Sequence, residues 1–140
     1  MTSVSGISGI HPRPLYDATD SLLRFAMRAD ATLTGLVGLA LAFAADPLSS
    51  LTGLTSIQEY SVGVFFVLCG LAVFSLAALP NLRRAGNAVV VGNIVFTVAA
   101  IVAAGVLPLT VAGVAATLAG GVYTAAFGGL QYLGVRRLAA

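Results

Sequence analysis

Four long apolar runs, separated by breaks that carry proline or polar residues, set the plan of the chain. The first is free of charge from Ala31 to Ala45 and the second from Tyr60 to Leu79. The third runs from Asn87 to Leu107 and the fourth from Thr110 to Gly134. The breaks fall at Asp46-Pro47, Pro80-Asn81 and Pro108. Proline ends helices because it lacks an amide hydrogen and its ring collides with the preceding turn. A hydrocarbon layer of about 30 Å needs roughly 20 helical residues at about 1.5 Å each, and the last three runs match that length. The pattern predicts an all-α membrane protein, a four-transmembrane-helix bundle over residues 19–140, with helices at about 20–45, 57–79, 87–107 and 110–134.

The edges of these runs refine the expectation. Asp17 to Ser21 offers N-caps for the first helix. Its uncharged part spans only about 22 Å, so the membrane should take in Arg28 and Asp30 at its edge. Residues 46–58 read as the longest connection, and Ser56 with Glu59 matches a capping box opening the second helix. Residues 1–18, rich in Ser, Gly and Pro, read as an extended cytoplasmic tail, and His11 within it has no second ligand nearby.

Composition sharpens the class. Only 9% of the 140 residues are charged, against about 25% in soluble domains, too few to coat a water-exposed surface. There is no Lys, and all seven basic residues are Arg. With abundant Ala, Gly and Val, this reads as the coding bias of a GC-rich bacterium. Four spans would gather Arg13, Arg24, Arg28, Arg83, Arg84, Arg136 and Arg137 on one side, leaving Asp46 and Glu59 on the other. The positive-inside rule then makes both termini cytoplasmic, in a bacterial plasma membrane. Arg83, Arg84, Arg136 and Arg137 are topology signals, or contacts for anionic head groups at about 1 kcal/mol each. Tyr60 and Tyr132 fall at interfacial levels.

The fourth run carries two rows of small residues at every fourth position: Gly113, Thr117, Gly121, Ala125 and Gly129 beside Ala112, Ala116, Gly120, Thr124 and Gly128. Small faces let helices approach closely in lipid, so this stretch is the expected helix-packing face. A hairpin-scale repeat is also visible. Asp30-Ala31 with Gly35 echoes Asn87-Ala88 with Gly92, and Gly63-Val64-Phe65 with Gly70 echoes Gly121-Val122-Tyr123 with Gly128. Two parallel hairpins would be related by a pseudo-twofold axis along the membrane normal.

Candidate chemistry is sparse. Intramembrane polar residues are the place to look, because burying them unpaired is costly. Asp30 and Asn93 should lie at one depth, each with a threonine a turn further on, Thr34 and Thr97. These four form an expected polar cluster between the first and third helices, with Arg24 or Arg28 as counter-charge. The alternative places Asp30 at the head-group edge. Cys69, the lone cysteine, acts as a small apolar side chain. One His, one Cys and no Lys leave no triad, phosphate loop, metal cluster or haem-ligand pair, so no cofactor and no enzyme activity are expected.

The succession Arg28-x-Asp30-Ala31-x-x-x-Gly35-x-x-Gly38, Asp46-Pro47-Leu48, Asn93, Leu107-Pro108-Leu109-Thr110 and Gly134-Val135-Arg136-Arg137 resembles small four-span integral membrane proteins of actinobacteria. It is more loosely similar to DoxX-type four-helix membrane proteins in size and topology. The resemblance implies a bacterial plasma-membrane protein and transfers no catalytic residue. The expected function is a non-catalytic accessory or scaffold subunit, whose partners are membrane lipids and another membrane protein or a second copy, with no nucleic acid. The alternatives are a small carrier or pore for an apolar or cationic solute using Asp30, and a lipid- or quinone-binding helper.

Overall fold

The computed structural model describes residues 18–138. Residues 1–17 of the expected tail, with His11 and Arg13, lie outside them, and Ala18, its last expected residue, opens the first helix instead. The described chain is all-helical: α1 (Ala18–Phe43), α2 (Ala45–Thr52), α3 (Ser56–Leu76), α4 (Arg83–Val106) and α5 (Val111–Arg136). All but α2 are long and apolar enough to cross a membrane. Their outer faces carry large apolar side chains such as Phe25, Leu36, Phe74, Ile101 and Val122, all more than half exposed. Apolar surface this extensive marks a lipid or protein environment.

α1 packs along α3, α4 packs along α5, and the two hairpins meet chiefly through α1 and α5. Between α3 and α4 the Phe66 and Phe96 rings touch edge to face at 5.4 Å. The apolar core sits at one end, where α1 begins, α3 ends, α4 begins and α5 ends. Leu23 and Met27 are fully buried there against Ala77, Leu82, Ala85, Val89, Val90 and Val135. Leu23 wedges between α4 and α5 because Gly86 and Gly134 offer no side chain to exclude it.

Several expected boundaries move, each for a local reason. The connection at 46–58 contains the short helix α2. Asp46 lies in its first turn, Pro47 sits where no amide hydrogen is needed, and Gly53 caps it with φ +88°. The capping box is one residue earlier than Ser56 and Glu59. Thr55 accepts from the Gln58 amide, and the Gln58 side chain accepts from the Thr55 amide. That frees Glu59, which is buried and accepts from the Thr52 hydroxyl. α4 starts at Arg83, not near Asn87, because Leu82, Ala85 and Gly86 bury against the core. α3 stops at Leu76, where Arg24 takes over its last carbonyls: its guanidinium donates to Ala77 O at 2.6 Å and Leu79 O at 3.0 Å.

α2 also docks the second hairpin. The Thr110 amide donates to Thr52 O at 2.9 Å and the Thr110 hydroxyl to Leu51 O. Gly53 has a double constraint, a left-handed backbone and Pro108 O lying 2.6 Å from where a Cβ would stand. Gly53→Ala is therefore expected to cost at least about 1 kcal/mol. Thermal unfolding in detergent checks this.

The expected packing face on the last helix divides. Gly113, Gly121, Thr124 and Gly128 are buried, and Thr117 and Gly120 are half-buried, whereas Ala112, Ala116, Ala125 and Gly129 are exposed. A row of every fourth residue turns about 40° per step, so over four steps it swings about 160° around the helix. The inward-facing line instead advances by a mixture of fours and threes, through 113, 117, 121, 124, 128 and 131. On this line Gly113 lies against the last carbonyl of α2, Thr52 O, which leaves no room for a Cβ, while among the four long helices the closest crossing is between α1 and α3. A Cβ on Gly63 would stand 2.6 Å from Gly38 O and Ala42 N, and one on Gly70 would stand 2.7 Å from Ala31 O.

Candidate functional site

One buried carboxylate joins three helices. Asp30 on α1 is 5% exposed. Its Oδ1 accepts from the Thr34 hydroxyl one turn further on, at 3.0 Å, and from the Tyr123 hydroxyl of α5, also at 3.0 Å. Its Oδ2 accepts from Asn93 Nδ2 of α4 at 3.0 Å and from Gln131 Nε2 of α5 at 2.8 Å. Asn93 Nδ2 also donates to Gln131 Oε1 at 2.7 Å. This arrangement fixes both amide orientations, since each donor meets an acceptor. The Tyr123 hydroxyl lies equally close to the Asp30 backbone O, at 3.0 Å, and all four donor groups around the carboxylate are neutral.

The polar line continues along α4 and α5. The Thr97 hydroxyl donates to Asn93 O at 2.9 Å and lies 2.7 Å from the Thr124 hydroxyl, which donates to Gly121 O at 3.0 Å. Thr117 donates to Gly113 O at 2.8 Å. Among the described residues, every buried side-chain nitrogen and oxygen has a partner.

Asp30, Thr34, Asn93 and Thr97 thus come together, with Asn93 touching Asp30 and Thr97 one turn beyond. The two arginines are elsewhere, and Asp30 has no ion-pair partner among the described residues. Arg24 pairs with Asp20 at 2.8 Å and caps α3. Arg28 is exposed. Two residues along a helix is about 200°, so Arg28 leaves the far side of α1 from Asp30. Arg24, six residues before Asp30, is about 240° away, and the negative end of α3 holds its guanidinium.

The sequence reading missed Tyr123 and Gln131 and assigned Thr124 only to packing. A signal was present. Thr110, Thr117, Thr124 and Gln131 recur at intervals of seven through an apolar run. A seven-residue interval drifts by only about 20° per step, so these polar groups stay on one seam. Tyr123 had no comparable signal.

Arg83, Arg84, Arg136 and Arg137 are all exposed at the end that holds the apolar core. The Arg83 guanidinium reaches Leu138 O at 3.4 Å, which brings α4's first turn beside α5's last. Cys69 is half-buried and makes no disulfide. No group of three His, Cys, Asp or Glu converges among the described residues. Two surface hollows, of about 300 and 250 Å3, lie at the opposite end of α1 and α3, and neither touches Asp30. No family model matches the chain, and no curated protein or solved structure matches it either.

Proposed function

We propose that the chain is a non-catalytic multi-pass membrane protein, an accessory or scaffold subunit that associates with another membrane protein or with a second copy of itself. One observation carries this reading. Both Asp30 oxygens are engaged by groups from three of the chain's own helices. A carrier's membrane carboxylate must exchange partners with its cargo. Here every acceptor site already belongs to the packing of α1, α4 and α5, which is the arrangement of a clasp. The exposed apolar faces and the small residues Ala112, Ala116, Ala125 and Gly129 left uncovered on α5 suit close helix association in lipid.

The same reading places the protein in a bacterial plasma membrane with both termini cytoplasmic. Six arginines of the described chain lie at one end, with Asp46 and Glu59 at the other. A duplicated hairpin is part of the proposal too. Gly63 faces Ala42 while Gly121 faces Ala100, and Gly70 faces Gly35 while Gly128 faces Asn93. A single offset of 58 relates both partners in both pairs, one residue out of register with the expected echo of Asp30-Ala31 and Gly35 in Asn87-Ala88 and Gly92, so Gly35 corresponds to Asn93 rather than Gly92.

A second reading, a small carrier for a cationic solute or proton, draws on the absence of a counter-cation for Asp30 among the described residues. Native mass spectrometry after gentle extraction tests the two. The scaffold reading expects a reproducible assembly larger than one chain, and solute flux in vesicles that Asp30→Asn leaves unchanged. A bare monomer with Asp30-dependent flux would sink it. For orientation, a fluorescent protein fused after Ala140 should fluoresce and an alkaline phosphatase fused there should be inactive. The reverse outcome would invert the topology.

A further inference from the structure

We infer that the acidic end of the first hairpin holds a binding groove for a phospholipid whose head group ends in a primary ammonium. The claim stands independently of the scaffold reading. Its basis is a notch in α1. The helix halts at Phe43, Ala44 departs from helical geometry with φ −105° and ψ 21°, and the chain resumes as α2. Pro47 cannot supply the amide hydrogen that would continue the ladder to Phe43 O. At the corresponding level of the second hairpin, where Ala100 faces Gly121 as Ala42 faces Gly63, α4 runs on unbroken to Val106. The notch belongs to one hairpin only.

Two hollows open there, of about 300 and 250 Å3, and they share Ala42, Phe43 and Tyr60, so they form one continuous groove. Its outer part is lined by Asp46, Ser56 and Tyr60. Its inner part runs down past Leu39, Val64 and Leu68. From Tyr60 to Leu68 is about 12 Å along the helix axis, the direction of an acyl chain. Polar groups at the helix ends and an open apolar hollow beneath them match one lipid molecule with its head outward.

Charge selects the head group. The Asp46 carboxylate and the Tyr60 hydroxyl make no hydrogen bond among the described residues, and both residues are exposed. Glu59, the other acid at this end, is buried and held by Thr52. No arginine of the described chain lies at this end. An anionic head group would meet Asp46 with like charge. A quaternary ammonium has no N–H to donate. A primary ammonium has three, and can donate to Asp46 while its adjoining phosphate accepts from the Tyr60 hydroxyl; the Ser56 hydroxyl already donates to Ser49 Oγ at 3.4 Å.

The test uses the full chain in bilayer discs of equal phosphatidylethanolamine, phosphatidylcholine and phosphatidylglycerol. The protein is released into mild detergent, and the lipid it retains is read by native mass spectrometry. The expected result is preferential retention of phosphatidylethanolamine. Asp46→Asn should lower that retention about five-fold at unchanged melting temperature, as expected for loss of one exposed charged contact. Leu68→Trp, which fills the inner groove at an exposed position, should lower it as well. Equal retention of the three lipids, or undiminished retention by Asp46→Asn, overturns the assignment. If Asp46→Asn fails to fold, Tyr60→Phe and Leu68→Trp carry the test, and wild-type retention by both overturns it.

Discussion

Asp30→Ala lowers the stability of the detergent-solubilised protein by about 3–5 kcal/mol. Four hydrogen bonds within the membrane-spanning region are lost, at roughly 0.6 kcal/mol each on average, and the buried amides of Asn93 and Gln131 lose an acceptor, which adds about 1–3 kcal/mol. Asp30→Asn costs about half as much. The new amide keeps an acceptor for Thr34 and Tyr123 but presents N–H to Asn93 and Gln131, and Gln131 can turn over to meet it. Arg28→Ala, on the far side of α1, is neutral. Denaturant titration in mixed micelles measures all three. Equal losses for Arg28→Ala and Asp30→Ala would restore the counter-charge arrangement and remove the neutral clasp. A fully stable Asp30→Ala would remove the clasp altogether.

The difference between those two arrangements shows where sequence reasoning reaches. The depths of Asp30 and Asn93 follow from counting residues inward from Ala45 and Leu107, because helix rise is fixed. Depth needs no tertiary information, and the two side chains meet. Azimuth is harder. Nearness along the chain suggested Arg28 as a partner, whereas a 100° turn per residue sends it away. The contribution of α5 needed one more step. An interval of seven in Thr110, Thr117, Thr124 and Gln131 was legible, but the every-fourth-residue rows of glycine and alanine drew attention to a pattern that winds around the helix.

The fold was legible to a similar degree. Three of the four long helices follow from charge-free length alone, because length and charge are what a bilayer constrains, and the first needs Arg28 and Asp30 counted into its span. The notch and α2 were not legible. Asp46-Pro47 reads equally as a helix stop and as a first helical turn, and Gly53 decides between them by capping a helix that Pro108 and Thr110 then dock against. That docking is a long-range contact with no periodic trace in the sequence. The start of α4 was hidden for a related reason. Arg83 and Arg84 look like turn residues, and burial of Leu82 and Ala85 beside them keeps that turn helical.

The glycines give the second large effect, because the structure separates those that admit a neighbouring backbone from those that face nothing. At Gly63 an added methyl would stand 2.6 Å from both Gly38 O and Ala42 N, and backbone atoms cannot swing aside as a side chain can. Gly63→Ala must push α1 from α3, and Gly63→Val more so. The close crossing that replaces hydrophobic drive within lipid is lost along with its dispersion contacts. The expected cost is about 2–3 kcal/mol for alanine, in the range of an overpacked core, and more for valine. Gly92, Gly105, Gly120 and Gly129 have nothing within 4 Å of an added Cβ. Alanine there gains helix propensity, up to about 1 kcal/mol, so these variants should match or exceed the wild type. The contrast is sharpest between Gly63 and Gly129. Gly129 sits in the more conspicuous row of small residues, yet that row has turned outward by the time it reaches this position. Unfolding titrations of Gly63→Ala and Gly129→Ala, side by side, decide whether the α1–α3 crossing or the α5 rows hold the monomer together. A destabilised Gly129→Ala beside an unaffected Gly63→Ala would assign that role to α5.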